Sequence, residues 1–374
     1  MSRTKLFQLL ILLATTVLMA QGSTESLRTK VYDQPDETIS IALKLLKKEK
    51  KVDEVAHLYM LISNAYIVKR NTDSSLFYIL KAANLINTDA LPTTKIKILN
   101  SIAVQYQQME LYDKALESLD QAQVMTDKLP AGNEYQLFNS GFINAVRGMI
   151  YRNQSNPDLA LEKFKLAAQN FHKLKFDKKS SANLSIIYYN IGNCFIDLSQ
   201  FQKAISYFKD AEKYALLFKA NSLEAYALKG QGESLFLMHQ YDESLRALYK
   251  AEQLGEPSGD LVLNEGIFKL LANNNLAIND FKKFQDYNSK YLDVQKKLEQ
   301  NELKSLNRYL NTQNLEQHEI NSKVRKEYGG YQWIAVISAF VLLAFLFIII
   351  YKLRKKNRRQ KKIIEKLTKS KVAL

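Results

Sequence analysis

Catalysis needs nucleophiles, metal ligands or paired acids held together, and this chain scatters them. The four histidines, His57, His172, His239 and His318, are far apart, and none has a second metal-ligating side chain at helical spacing. Cys194 is the single cysteine and has no intrachain disulfide partner; its place inside a helical pattern predicts a small packed side chain, with a reactive thiol as the alternative. Adjacent carboxylates such as Asp242 and Glu243 stand at a helix start, where the macrodipole favours negative charge without catalysis. There is no glycine-rich phosphate loop, no HExxH, no CxxC and no GxSxG. The residues therefore predict no enzyme, no metal centre and no cofactor. What remains is recognition, for which asparagine is well suited, because its carboxamide offers a donor and an acceptor at once.

The elements that position such groups are helices. Twelve glycines and five prolines in 374 residues are too few for the turns of a β-sandwich or for a glycine-rich nucleotide-binding α/β fold. Hydrophobic residues at 47%, with 11% aromatics, supply a sizeable core and exclude a mostly disordered chain. The formal charge of +15 is concentrated at one end: residues 352–374 hold eleven basic side chains against Glu365. Between 23 and 351 the chain has 40 basic and 37 acidic residues, so no nucleic-acid footprint covers the body and no nucleic-acid partner is expected.

The two ends read as membrane signals. Residues 1–22 run from Arg3 and Lys5 through an uncharged apolar stretch, Leu6 to Met19, to Ala20-Gln21-Gly22, the order of a cleaved signal peptide. Those apolar residues rise only about 21 Å, short of a bilayer core near 30 Å. Residues 331–351 contain 19 uncharged residues from Trp333 to Tyr351, about 28 Å of helix, with Tyr331 and Trp333 at one edge and Tyr351 at the other. Eight basic residues follow within 352–362. By the positive-inside rule the body is exported, to the periplasm in a bacterium, and the basic tail 352–374 stays in the cytoplasm as part of a single-pass membrane protein.

Between these ends a frame recurs: a small residue, an aromatic three later, a small residue twelve later, a bulky apolar residue sixteen later and an alanine nineteen later. Ala103, Tyr106, Ala115, Leu119 and Ala122 form one copy, and Gly192, Phe195, Ala204, Phe208 and Ala211 another. Gly148, Tyr151, Ala160, Phe164 and Ala167 form a third; weaker copies start at Ser63 and Gly232, and a degenerate one at Ala272. This frame resembles the tetratricopeptide repeat (TPR), in which a small residue lies where helix A crosses helix B. The resemblance implies an all-α, TPR-like α-solenoid, a right-handed superhelix of helix pairs, across residues 52–291. The crossing residues are 40 to 45 apart, against 34 in the family, which predicts extended helices or loops. A helix from Asp36 to Lys50 within segment 23–51 is expected to cap the array.

The resemblance also implies that helix A lines a concave groove, through the positions one after and three before each crossing residue. These include Tyr189, Asn193, Lys229, Lys269 and Asn273, and with the neighbouring Asn190 they form the predicted peptide-binding set. Asparagines would hold an extended backbone, and the two lysines a carboxylate. From residue 292 to 330 a long juxtamembrane helix is expected; Leu303, Leu306, Leu310, Ile320 and Val324 fit heptad positions, interrupted by Gln313 and Gln317. That leaves a homodimeric coiled coil over 292–328, or a helix lying along the last repeat. The expected function is a membrane-anchored module that binds a protein or peptide. The alternative is the input half of a signalling protein: the layout is similar to bacterial sensor kinases and membrane-tethered helix-turn-helix regulators with exported TPR input regions, but the 23 residues after Tyr351 predict an output on a separate protein.

Overall fold

The computed structural model describes Leu27, Val31 and residues 35–69, 71–174 and 178–371. The expected signal peptide, residues 1–22, lies outside the described residues, as does most of the capping segment before Pro35. All regular structure among the described residues is helical. The chain divides into two compact units, 1–307 and 308–374.

The first unit is a run of helix pairs. A leading helix, α1 (Pro35–Leu46), precedes α2 (Val52–Val68) and α3 (Thr72–Ala83), α4 (Pro92–Gln108) and α5 (Tyr112–Thr126), α6 (Glu134–Asn153) and α7 (Pro157–Lys173). Then come α8 (Lys178–Asp197) and α9 (Phe201–Phe218), α10 (Asn221–Leu237) and α11 (Tyr241–Gly255), and α12 (Leu261–Ala277) with the start of α13 (Phe281–Lys371). The leading helix ends at Leu46 rather than at the expected Lys50, because Glu49 turns the chain: its Oε1 accepts from the backbone N–H groups of Lys51 at 2.8 Å and Lys50 at 2.9 Å. Leu27, Val31, Ile39 and Ala42 then bury against Leu58, Leu61, Ile62 and Ala65 of α2.

Each predicted repeat is one A–B pair, and the same backbone hydrogen bond closes the turn between its helices six times. Eight residues after the crossing residue, a backbone N–H reaches back to the carbonyl five residues earlier: Asn71 to Tyr66, Leu111 to Tyr106, Asn156 to Tyr151, Gln200 to Phe195, Gln240 to Leu235 and Asp280 to Asn275, all at 2.8–2.9 Å. This six-residue closure caps the last carbonyls of helix A. It forces a left-handed backbone one residue before: Glu110, Ser155, Ser199, His239 and Asn279 have φ of 57° to 62°. None of the five is glycine, so each carries a steric cost of roughly 1 kcal/mol that packing offsets.

Crossing geometry explains the small residues. A Cβ built on Gly148 would stand 2.8 Å from the Phe164 ring, and one on Gly192 2.6 Å from Phe208. In the first and fifth repeats serines add hydrogen bonds at the crossing: Ser63 Oγ donates to the Ser75 carbonyl at 2.9 Å and Ser244 Oγ to that of Gly232 at 2.7 Å. The long spacing between repeats comes partly from longer helices. α6 and α8 have 20 residues each, against 17 in α4 and α10. Their extra turns create a second crossing, where Gly141 meets Phe171 and Ser185 Oγ donates to the Ala211 carbonyl at 2.8 Å.

The core continues without a break from Leu99 to Val294 of α13, whose Tyr287, Tyr291 and Leu298 pack against it. In the second unit, residues 333–364 of the same helix are exposed throughout, with a mean hydropathy of 3.0 in the most apolar stretch. This segment is long and apolar enough to cross a membrane. Of the heptad residues, Leu303 and Val324 are exposed. The side chains of Leu306, Leu310 and Ile320 lie outside the described residues, and with them most of the proposed coiled-coil seam.

Candidate functional site

The six predicted recognition residues separate into two groups. Tyr189, Asn190 and Asn193 of α8 are interior, at 3%, 0% and 2% exposure. Asn190 Nδ2 donates back to the Ile186 carbonyl at 2.9 Å, and its Oδ1 has no hydrogen-bond partner among the described residues. Tyr189 packs between Phe208 and Tyr226, with ring centroids 5.6 and 5.5 Å away. Lys269 and Asn273 are half-buried and reach the surface, whereas the Lys229 side chain is only 13% exposed.

The same division separates repeats two to four from repeats five and six. In the second to fourth repeats the two groove rows hold Asn100, Val104, Ala145, Met149, Tyr189 and Asn193, all buried. Asn100, the polar member at the start of this series, joins the neighbouring A helix instead of facing solvent. Asn100 Nδ2 donates to Asn139 Oδ1 at 2.9 Å, linking α4 to α6, and Asn139 Nδ2 donates to the Tyr135 carbonyl at 2.7 Å. One helix pair further, the buried Arg152 at the end of α6 forks onto Asp197 at the end of α8, with Nε–Oδ2 at 2.6 Å and Nη2–Oδ1 at 3.2 Å. A two-pronged guanidinium–carboxylate pair fixes distance and angle between the helices together.

In the fifth and sixth repeats the rows open. Lys229 of α10 points across α12, over Gly266, where a Cβ would stand 3.2 Å from the Lys229 Cδ. Its Nζ lies 3.7 Å from Glu233 Oε2 and 5.7 Å from the Tyr189 ring centroid. Burial alone would lower the Lys229 ammonium, but Tyr189 and Glu233 outweigh it and hold its pKa above the ordinary lysine value. On α12, Glu265, Lys269 and Asn273 follow at four-residue spacing, which places them on one helix face. Burial raises the Glu265 carboxyl above the usual carboxylate range, although Lys269 and Lys229 pull it down. Glu265 also raises the Tyr291 phenol, an effect secondary to that residue's burial, so the cluster extends onto α13. Exposed Leu237 and Leu276 end the same two A helices.

This arrangement can hold a ligand by charge and hydrogen bonds, with an apolar shelf beside it. Sequence reasoning found its lysines and Asn273 but missed Glu265 and Tyr291, which stand outside the two groove rows. Cys194 takes its packed reading: it is buried, and burial pushes its thiol up to about 12, far from a reactive thiolate. Among the described residues no group of His, Cys, Asp or Glu is arranged to hold a metal ion.

No protein-family model and no curated sequence matches the chain. Solved structures do resemble it. The chain is similar to a Rap protein complexed with competence and sporulation factor, with a TM-score of 0.54 and 13% identity over 76% of this chain and 90% of that one. It is similar to the Rap conjugation gene regulator of the plasmid pLS20 in complex with the Phr* peptide, with a TM-score of 0.53 and 13% identity over 70% and 81%. It also resembles the APC/C hetero-tetramer Cut9–Hcn1, with a TM-score of 0.50 and 17% identity over 73% of this chain and 48% of that one. At such identities the likeness is one of fold, and the fold is a TPR-like α-solenoid, as the repeat frame implied.

Proposed function

We propose that the chain is a membrane-anchored TPR-like scaffold that binds a peptide or protein segment on the A helices of its last two repeats. The observation that carries this reading is the contrast in burial: the groove rows are sealed in repeats two to four and partly open at Glu233, Lys269 and Asn273, with Lys229 beneath them. An extended segment there would gain hydrogen bonds from Asn273 and charge pairing with Lys269 and Glu265, and it could rest apolar side chains on Leu237 and Leu276. Two fold neighbours were solved with a bound factor or peptide, which supports a peptide-sized ligand. Residues 331–351 would anchor the scaffold, with the body exported and the tail 352–374 in the cytoplasm.

A sensory reading is kept by two further contacts. Tyr287 Oη donates to Glu252 Oε2 at 3.0 Å and Lys290 Nζ to Glu252 Oε1 at 3.1 Å, so the first turns of α13 are part of the last repeat. A ligand beside Glu265 and Tyr291 would touch the helix that leads to the apolar segment.

A photo-crosslinking residue at Asn273, compared with one at the outward-facing Arg246 of α11, tests the binding surface in native membranes. The expected result is a crosslinked partner from position 273 that weakens with Lys229→Ala/Lys269→Ala and with added salt. Crosslinks from position 246 alone would place the partner elsewhere. For topology, Asp120→Cys should react with an impermeant thiol reagent on intact cells, and Gln360→Cys should not.

A further inference from the structure

We propose that the basic arc of α13 between Lys352 and Lys362 is a binding surface for anionic lipid headgroups, which holds the end of the helix against the cytoplasmic leaflet. The inference rests on the reading that residues 331–351 cross a membrane. Tyr351 ends the apolar run, and the helix continues without interruption to Lys371. Within the eleven residues after Tyr351, eight are Lys or Arg and none is acidic. All eight are exposed, and among the described residues no ion pair engages them.

Helical geometry decides what this charge fits. At about 100° per residue the eight side chains sweep roughly 220° of the helix circumference. The gap in the arc is an uncharged stripe, Leu353, Asn357, Gln360 and Ile364, at alternating spacings of four and three. A partner helix touches one face of another helix. Headgroups surround a crossing helix and match an arc wider than half the circumference. A second copy of the chain would set lysines and arginines against their own kind, which opposes self-association through the arc. The rise from Lys352 to Lys362 is about 15 Å, enough to pass through a headgroup layer of roughly 5–8 Å and into the adjacent water. Long basic side chains on that path can turn back towards the phosphates. Phosphatidylglycerol-like headgroups, with one negative charge and no ammonium, are the chemistry that satisfies them.

The test uses the full chain carrying Gln360→Cys, labelled with an environment-sensitive dye; the single native thiol, Cys194, is buried. The protein is placed in nanodiscs of phosphatidylcholine alone, or of phosphatidylcholine with about one-third phosphatidylglycerol. Quenching of the dye by neutral acrylamide should fall several-fold in the anionic discs and recover in high salt. Combining Arg354→Gln, Arg358→Gln, Arg359→Gln and Lys362→Gln should abolish the difference between the two lipids. Equal quenching of the unsubstituted tail in both lipids would overturn the proposal, as would a lipid effect that survives the four substitutions. Shielding that arises only when an acidic soluble protein is added would assign the arc to a protein partner instead. Alkaline carbonate extraction separates the two levels of failure: a chain released from membranes refutes the crossing itself, whereas an integrated chain with an indifferent tail refutes this inference alone.

Discussion

The A helices of repeats two to four and those of repeats five and six carry the same frame and the same six-residue turn, yet they use equivalent positions differently. In the first group the groove rows bury Asn100, Ala145, Met149, Tyr189 and Asn193; in the second they hold Glu233, Lys269 and Asn273 half-buried, with the Lys229 side chain 13% exposed. A polar residue in a TPR-like row is therefore not in itself a recognition residue. In the sealed group an asparagine or arginine spends its hydrogen bonds on the next A helix, as Asn100 and Arg152 do. Where side chains remain partly solvated, the same rows keep charge available.

The sharpest way to break this contrast is steric. Phe208 lies between Gly192 of α8 and Gly230 of α10, whose added Cβ atoms would stand 2.6 and 2.4 Å from its ring. Gly192→Leu and Gly230→Leu are each expected to cost about 3 kcal/mol by overpacking, whereas Lys269→Leu in the open rows should change thermal unfolding little. Equal melting of the glycine variants and the parent chain would show that α8 and α10 do not sandwich Phe208.

Next in size is the buried ion pair. Arg152→Ala leaves Asp197, one-third exposed, without its partner and should cost about 2 kcal/mol. Lys229→Ala, whose 3.7 Å pair is long, should cost less. A larger loss for Lys229 than for Arg152, by thermal unfolding of the solubilised chain, would reverse the assignment of sealed and open rows.

The turns bear on neither row and serve as an internal reference. His239→Gly removes a strained left-handed side chain, although glycine also frees the unfolded chain, and a net gain of about 0.5 kcal/mol is expected. A loss of stability there would mean that the His239–Tyr241 hydrogen bond, Nδ1–Oη 2.9 Å, outweighs the strain.

The smallest effect is electrostatic. Because burial raises the Glu265 carboxyl, the native chain keeps its proton to a higher pH than the unfolded chain does. Between the ordinary carboxylate pKa and the raised one the native state binds more protons, so the contribution of Glu265 to stability falls as pH rises through that window. Glu265→Gln should remove that slope and slightly stabilise the chain at neutral pH. An unchanged slope in the pH region just above the usual glutamate range would show Glu265 to be solvated.

Much of the fold was legible because its signals are local or repeat at fixed spacing. Low glycine and proline content, the apolar run from Trp333 to Tyr351, and the frame at Ser63, Ala103, Gly148, Gly192, Gly232 and Ala272 all follow from which side chain fits at a helix crossing or in an apolar segment. The recurring turn confirms that frame even in the last copy, where Asn275 replaces the aromatic and only the backbone pattern remains. Other features were decided by tertiary structure. Gly230 and Gly141 resemble ordinary helix glycines until Phe208 and Phe171 arrive from elsewhere in the fold. Whether Asn193 is buried and Asn273 half-buried depends on the side chains that neighbouring helices bring against each. Glu265 acquires its raised pKa only when packing buries it, against the lowering pull of Lys269 and Lys229. Periodicity fixes which residues share a helix face, because 3.6 residues per turn is a property of the backbone. Burial of that face depends on side chains of other helices, often 40 or more residues away, and so it is settled only when the helices pack.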